Sequence, residues 1–249
     1  MHRVNDMKSY IAAIISLMAA WTYASDMQEY LSTTRQMTRM GQYEEALERH
    51  IWFHDNVLSH DPAMYGVRLS FALSYWKELA DKYPPAMDAL VELRDRIESR
   101  VREGGDSRAF HDLVALNNKL DREQNTIEVF DYLDREHPAI ARRAWHIAKD
   151  TVIDAQRYDL ARKYIEDPVR EFAKVKTMYE HNVTLYENPE VGGEHFREYN
   201  EGKLVRDSLK LISVALSLND RDSAMKIRDM ALEIVEHKSL RDAVPGLVE

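Results

Sequence analysis

Residues 143–168 read RAWHIAKDTVIDAQRYDLARKYIEDP, and their register decides the fold. Trp145, Ala148 and Val152, and then Tyr158, Ala161 and Ile165, each repeat the spacing that lines one face of a helix. Asp167-Pro168 closes the stretch, because a proline cannot continue a helix that precedes it. The core of the second half, Tyr-x-x-Ala, is not unique to it. It recurs as Tyr43/Ala46 and Tyr83/Ala86, with a weaker echo, Glu123/Thr126, before Tyr158/Ala161, so the intervals are 40, 40 and 35 residues. A larger side chain follows four residues on in Leu90, Phe130 and Ile165, and an apolar one seven on in Phe53, Leu93 and Leu133. Recurrence at such a period marks helical hairpins that bury their apolar faces by stacking.

Composition agrees with an all-α chain. The 249 residues are 45% hydrophobic, enough for a sizeable core, and 8 Gly with 7 Pro leave little material for the turns of an all-β fold. Charges fall four apart on expected helix faces, as in Glu44/Glu48 and Glu92/Arg96. A net charge of −9 argues against nucleic acid as a partner, since that affinity rests on clustered Lys and Arg. Zero cysteines exclude disulfides, thiolate zinc sites and a cysteine nucleophile.

Tyr10 to Ala24, YIAAIISLMAAWTYA, is uncharged, preceded by Lys8, and ends in Thr-Tyr-Ala. It reads as a secretory signal over 1–24, which places the mature chain in the periplasm or outside the cell, without a membrane span. The alternative is a packed first helix. Residues 25–249 then form one helical-repeat domain. Hairpins are expected at 26–40 with 43–58, 62–81 with 84–102, 107–120 with 124–136, and within 139–166. An extra helix follows at 169–186, then a loop at 187–193 and a last hairpin at 195–218 with 221–237.

These residues resemble tetratricopeptide repeats, which pair an aromatic-and-small pattern in a first helix with Tyr-x-x-Ala and a larger hydrophobe in a second. The fourth hairpin carries the likeness best. The third adds Phe110, Leu113, Thr126, Phe130, Leu133 and Pro138, and the first adds Tyr30, Gly41, Tyr43 and Ala46. The chain departs from the family in its longer intervals, in the second and fifth first helices, which lack an aromatic start, and at His50, where a hydrophobe is expected. The resemblance covers about 27–237. It implies a right-handed α-solenoid of about five hairpins and a non-enzymatic scaffold that binds a protein or peptide. No cofactor is implied.

In the resembled family the first helices line the groove. The repeat register sets Gln28, Arg68, Arg108, Arg143 and Arg206 in one column, and Leu31, Phe71, His111, His146 and Leu209 in the next, with Tyr75 beside them. Four arginines in five equivalent places favour an acidic or carboxylate-ended peptide. The competing reading pairs them with neighbouring acids on the solenoid edge.

Three other constellations bear on chemistry. His50 and His54 share a helix face, with His60 nearby, a spacing that suits a metal. The loop at 187–195 carries Gly192-Gly-Glu-His195, whose Glu194 and His195 could do acid–base work but lack a strand and the Lys-Ser/Thr ending of a phosphate loop. Asn117-Asn-Lys119 is a partial echo of a carboxylate clamp, and Asn182-Val-Thr184 matches a glycosylation acceptor. An enzyme or metal-binding protein built on the loop or the histidines, and an accessory subunit of a cell-envelope complex, are therefore the alternatives to the scaffold.

Overall fold

The computed structural model describes residues 26–188 and 192–244; the expected signal at 1–24 lies outside them. Among the described residues every regular element is helical and there is no strand. The chain divides into two compact units, the first ending at Ala144 and the second beginning at Trp145.

In the first unit, α1 spans 26–39 and α2 spans Tyr43–His60. Gly41 between them has φ +81°, a left-handed conformation that glycine adopts without a Cβ penalty. Asp61 accepts a hydrogen bond from the Ala63 N–H, caps the 3₁₀ turn Pro62–Met64 and starts α3, which spans 65–80. Helix α3 is not uniform: Arg68–Ala72 form a π turn between α-helical segments. Helix α4 is Pro84–Arg102, with prolines in the first turn where no intrahelical donor is lost. Asp106 caps α5, Ser107–Lys119, by accepting from the Ala109 N–H at 3.0 Å. Helices α6, Glu123–Glu136, and α7, Pro138–Asp154, follow, and the division between the units falls within α7.

Sequential neighbours α3 and α4, α4 and α5, and α5 and α6 pack together; so do α3 with α5 and α4 with α6. The small residues of the repeated pattern explain the close approach. Ala46, Ala86 and Thr126 are all fully buried, and the rings of Tyr43 and Tyr83, equivalent in successive copies, stack at 5.7 Å. At the start of the unit, Leu31, Phe53, Val57, Met64 and Ala72 form a core between α1, α2 and α3.

In the second unit the expected second helix of the fourth hairpin is one turn long, α8 at Tyr158–Ala161, followed by further turns. Turns continue from Arg162 to Tyr164, and Asp167, extended before Pro168, closes the segment. Asp167 then caps α9, Pro168–Val183, and α10 and α11 span Glu194–Ser217 and Arg221–Leu232. The short α12, Lys238–Arg241, packs on α10 and α11, and α8 packs on α10. Ala161 and Ala224 are fully buried, as the small-residue column requires.

Candidate functional site

Helices α1 and α3 bound a cleft of about 470 Å³ in the first unit. Gln28, Leu31 and Arg35 face it from α1, and Val67, Phe71 and Tyr75 from α3, each set spaced at one helical turn. Leu31 is buried and forms the floor, while Phe71 is 61% exposed, a large apolar ring left in water. The Phe71 and Tyr75 rings lie 6.5 Å apart, and the Arg35 guanidinium sits 4.4 Å from the Tyr75 centroid. Arg35 Nε donates to Glu78 Oε2 at 2.8 Å, and Arg39, also lining the cleft, stands 3.9 Å from Glu78. Two guanidinium groups thus share one carboxylate beside an aromatic wall. Such a surface accepts an apolar side chain with an acidic group next to it.

A second cleft in the same unit, about 400 Å³, lies among α2, α3, α4 and α5. At its base Arg68 is only 4% exposed. Its Nη2 donates to Asp112 Oδ2 at 2.5 Å and its Nη1 to His54 Nε2 at 2.7 Å. Because His54 accepts through Nε2, its imidazole is neutral. Burial first, and the Arg68 charge second, push it down to about 4, against the opposing pull of Asp112 and Asp55. Arg68 Nε and Asp112 Oδ1 are buried without a hydrogen-bond partner in the structure. Above them Tyr65 donates to or accepts from His111 Nδ1 at 3.1 Å, and the Arg68 and Arg108 guanidinium groups lie 5.8 and 5.6 Å from the Tyr65 ring.

The expected groove residues are therefore split. Gln28, Leu31, Phe71 and Tyr75 meet in the first cleft. Arg68 and Arg108 share the second, and His111 meets Tyr65 beside it. Arg143 is exposed and lines neither. His146 and Arg206, in the second unit, are exposed too. The π turn explains why Arg68 leaves its column. One extra residue in a turn shifts the faces by about 100°, so Arg68 turns inward and Phe71 outward.

The histidines do not converge. His50 is buried, stacks on Trp76 at 5.9 Å, and is pushed down to about 4 by burial and by Arg49. It occupies the hydrophobe's place as a neutral ring. His60 is exposed against Trp52 at 5.4 Å. Among the described residues no group of three or more His, Cys, Asp or Glu is arranged to hold a metal. Asn117 is fully buried, accepting from Arg94 Nε and donating to Thr126 Oγ1, and Lys119 donates to Ser74 Oγ. Of the partial clamp, Asn117 is thus engaged in the interior, Lys119 is paired with Ser74, and Asn118 is exposed. His195 is fully exposed, 3.6 Å from Glu198. Asn182 Nδ2 donates to Asn200 Oδ1 at 2.9 Å, so the amide of the acceptor sequence is engaged within the fold.

Outside the two register columns, Arg35 and Arg39 on α1 and Arg96 and Arg100 on α4 also line the clefts. The four-residue spacing of the last two, which puts them on one face, was the available signal. Among the described residues no helix is long and apolar enough to cross a membrane. Compared with family models, curated proteins and solved structures, the chain matches none, so the clefts and their side chains are what any functional reading must rest on.

Proposed function

We propose that the chain is a non-enzymatic peptide-docking scaffold of stacked, tetratricopeptide-like hairpins, and that the α1–α3 cleft receives the peptide. Stacking is supported by the pairing of α3 with α5 and α4 with α6, and by the contact of the equivalent Tyr43 and Tyr83. The single observation that carries the docking reading is Phe71. A 61% exposed phenylalanine on the wall of a cleft, beside Tyr75 and above buried Leu31, is an anchor surface rather than packing. Charge selects the occupant. Arg35 and Arg39 against the lone Glu78 favour a peptide with a hydrophobe flanked by Asp, Glu or its own terminal carboxylate. An exported setting, read from Tyr10–Ala24, belongs to the same proposal and is checked by the N-terminal mass of protein from its native source.

A displayed library of random peptides, with free and blocked carboxyl ends, tests it. Selected sequences should converge on an acidic group beside Leu, Ile or Phe. Phe71→Ser should weaken the best of them by roughly tenfold or more, the cost of losing a hot-spot aromatic, with Arg39→Gln weakening the acidic ones preferentially. Selection without convergence, or binding that Phe71→Ser leaves intact, would overturn the reading.

A further inference from the structure

The second cleft carries an inference that does not depend on the first. Four arginines reach it from three helices: Arg68 on α3, Arg96 and Arg100 on α4, and Arg108 in the first turn of α5. Two carboxylates face them, Asp55 on α2 and Asp112 on α5. Asp106, at the start of α5, is committed to the Ala109 N–H. The walls therefore hold two positive charges in excess, in a chain of net charge −9.

The distribution of these charges matters more than their number. Arg68 is consumed at the base by Asp112 and His54. Arg96 stands 3.8 Å from Asp55, a loose and exposed pair. Arg108 rests over Tyr65, and Arg100 is exposed with no carboxylate partner among the described residues. Arg96 and Arg100 lie one turn apart on α4, so both guanidinium groups address the same mouth. Fixed cations along a partly enclosed wall focus field that separate surface arginines would lose to solvent. Asp55 weakens this field from the rim, and Asp112 is already neutralised by Arg68.

Apolar residues complete the cleft: Leu93, Ile97 and Ala109 are buried, and Leu58 is half-buried. A hydrated inorganic ion would leave these groups unused. About 400 Å³ is within the size range of a small-molecule pocket.

We infer that the α2–α5 cleft binds a small organic oxyanion, a phosphate monoester or carboxylate on an apolar body. Arg96, Arg100 and Arg108 hold the anionic group, and Leu58, Leu93 and Ile97 take the body. Arg68 is the positioning residue. Its bond to Asp112 ties α3 to α5, and it keeps His54 neutral at the wall.

Phenyl phosphate and benzoate are the probes, titrated separately into the full chain at low ionic strength and followed by calorimetry. Binding of either that Arg100→Gln weakens and Phe71→Ser leaves unchanged assigns the probe to this cleft, and their relative affinity identifies the oxyanion. Arg100→Gln, at an exposed position, should weaken the bound probe by roughly tenfold, the loss of one charge-assisted contact. Asp55→Asn should tighten it by roughly threefold, because a rim charge of the wrong sign is gone. The gain separates a binding role from a structural one, since no loss of fold produces it. The inference fails if neither probe binds, or if Arg100→Gln or Asp55→Asn leaves the affinity unchanged while circular dichroism shows an intact fold.

Discussion

Two buried histidines should make this protein sensitive to mild acid. His50 and His54 are both held near 4 rather than 6.5, chiefly because burial penalises the imidazolium. A histidine whose folded value is lowered contributes stability in full above 6.5. That contribution is lost as pH falls, until it levels near 4, because the unfolded chain takes up the proton first. Each residue should therefore lose stability with the slope of one proton across the window, on the order of 2–3 kcal/mol between pH 7.5 and 4.5. Together that is about 5 kcal/mol, comparable to the whole stability of many domains. His50 isolates the effect. It stacks on Trp76 at 15° between planes, its Nε2 has no hydrogen-bond partner, and Arg49 is the charge that acts on it. His50→Phe keeps the aromatic stack and removes the titration. Urea unfolding followed by circular dichroism at pH 7.5, 6.0, 5.0 and 4.5 should give a stability slope for His50→Phe about half that of the parent between 6 and 4.5. Equal slopes, or a flat parent profile, would mean that these rings are not buried neutral and that the packing around Trp76 is wrong.

The remaining predictions concern the interior. Asp112→Asn should destabilise the first unit by about 3 kcal/mol, since it strands the Arg68 guanidinium, whereas Arg68→Met with Asp112→Leu should recover most of that loss. Chemical denaturation of the two variants beside the parent checks both. Ala161→Leu should cost about 1–3 kcal/mol by overpacking, because Ala161 is fully buried where α8 meets α10. A thermal midpoint unchanged from the parent would show that the small-residue column is not a close contact.

Much of the fold is legible in the sequence for a simple reason. Glycine, proline and Asp-capped turns punctuate it, and the Tyr-x-x-Ala column marks where helices come closest. Gly41, Asp61-Pro62, Asp106 and Asp167-Pro168 each end or begin an element where they stand. Ala46, Ala86, Ala161 and Ala224 are all buried. The short α8 is the exception. Its sequence matches the repeat best, yet regular helix covers only Tyr158–Ala161, with turns after it.

The clefts were only half legible, and α3 shows why. A repeat register assumes 3.6 residues per turn, and nothing in Arg68-Leu-Ser-Phe-Ala72 announces a π turn. Without it, Arg68 and Phe71 would be read as neighbours on one groove. With it, one helix serves two separate clefts. Arg68 is drawn into the interior, where Asp112 and His54 satisfy it, and Phe71 is left in water beside Tyr75. The extra residue is held there by both ends. A buried guanidinium cannot swing out without abandoning Asp112, and buried Leu69, Ala72 and Leu73 fix the remaining face. Arg68 and Phe71, three residues apart in one π turn, therefore line different clefts.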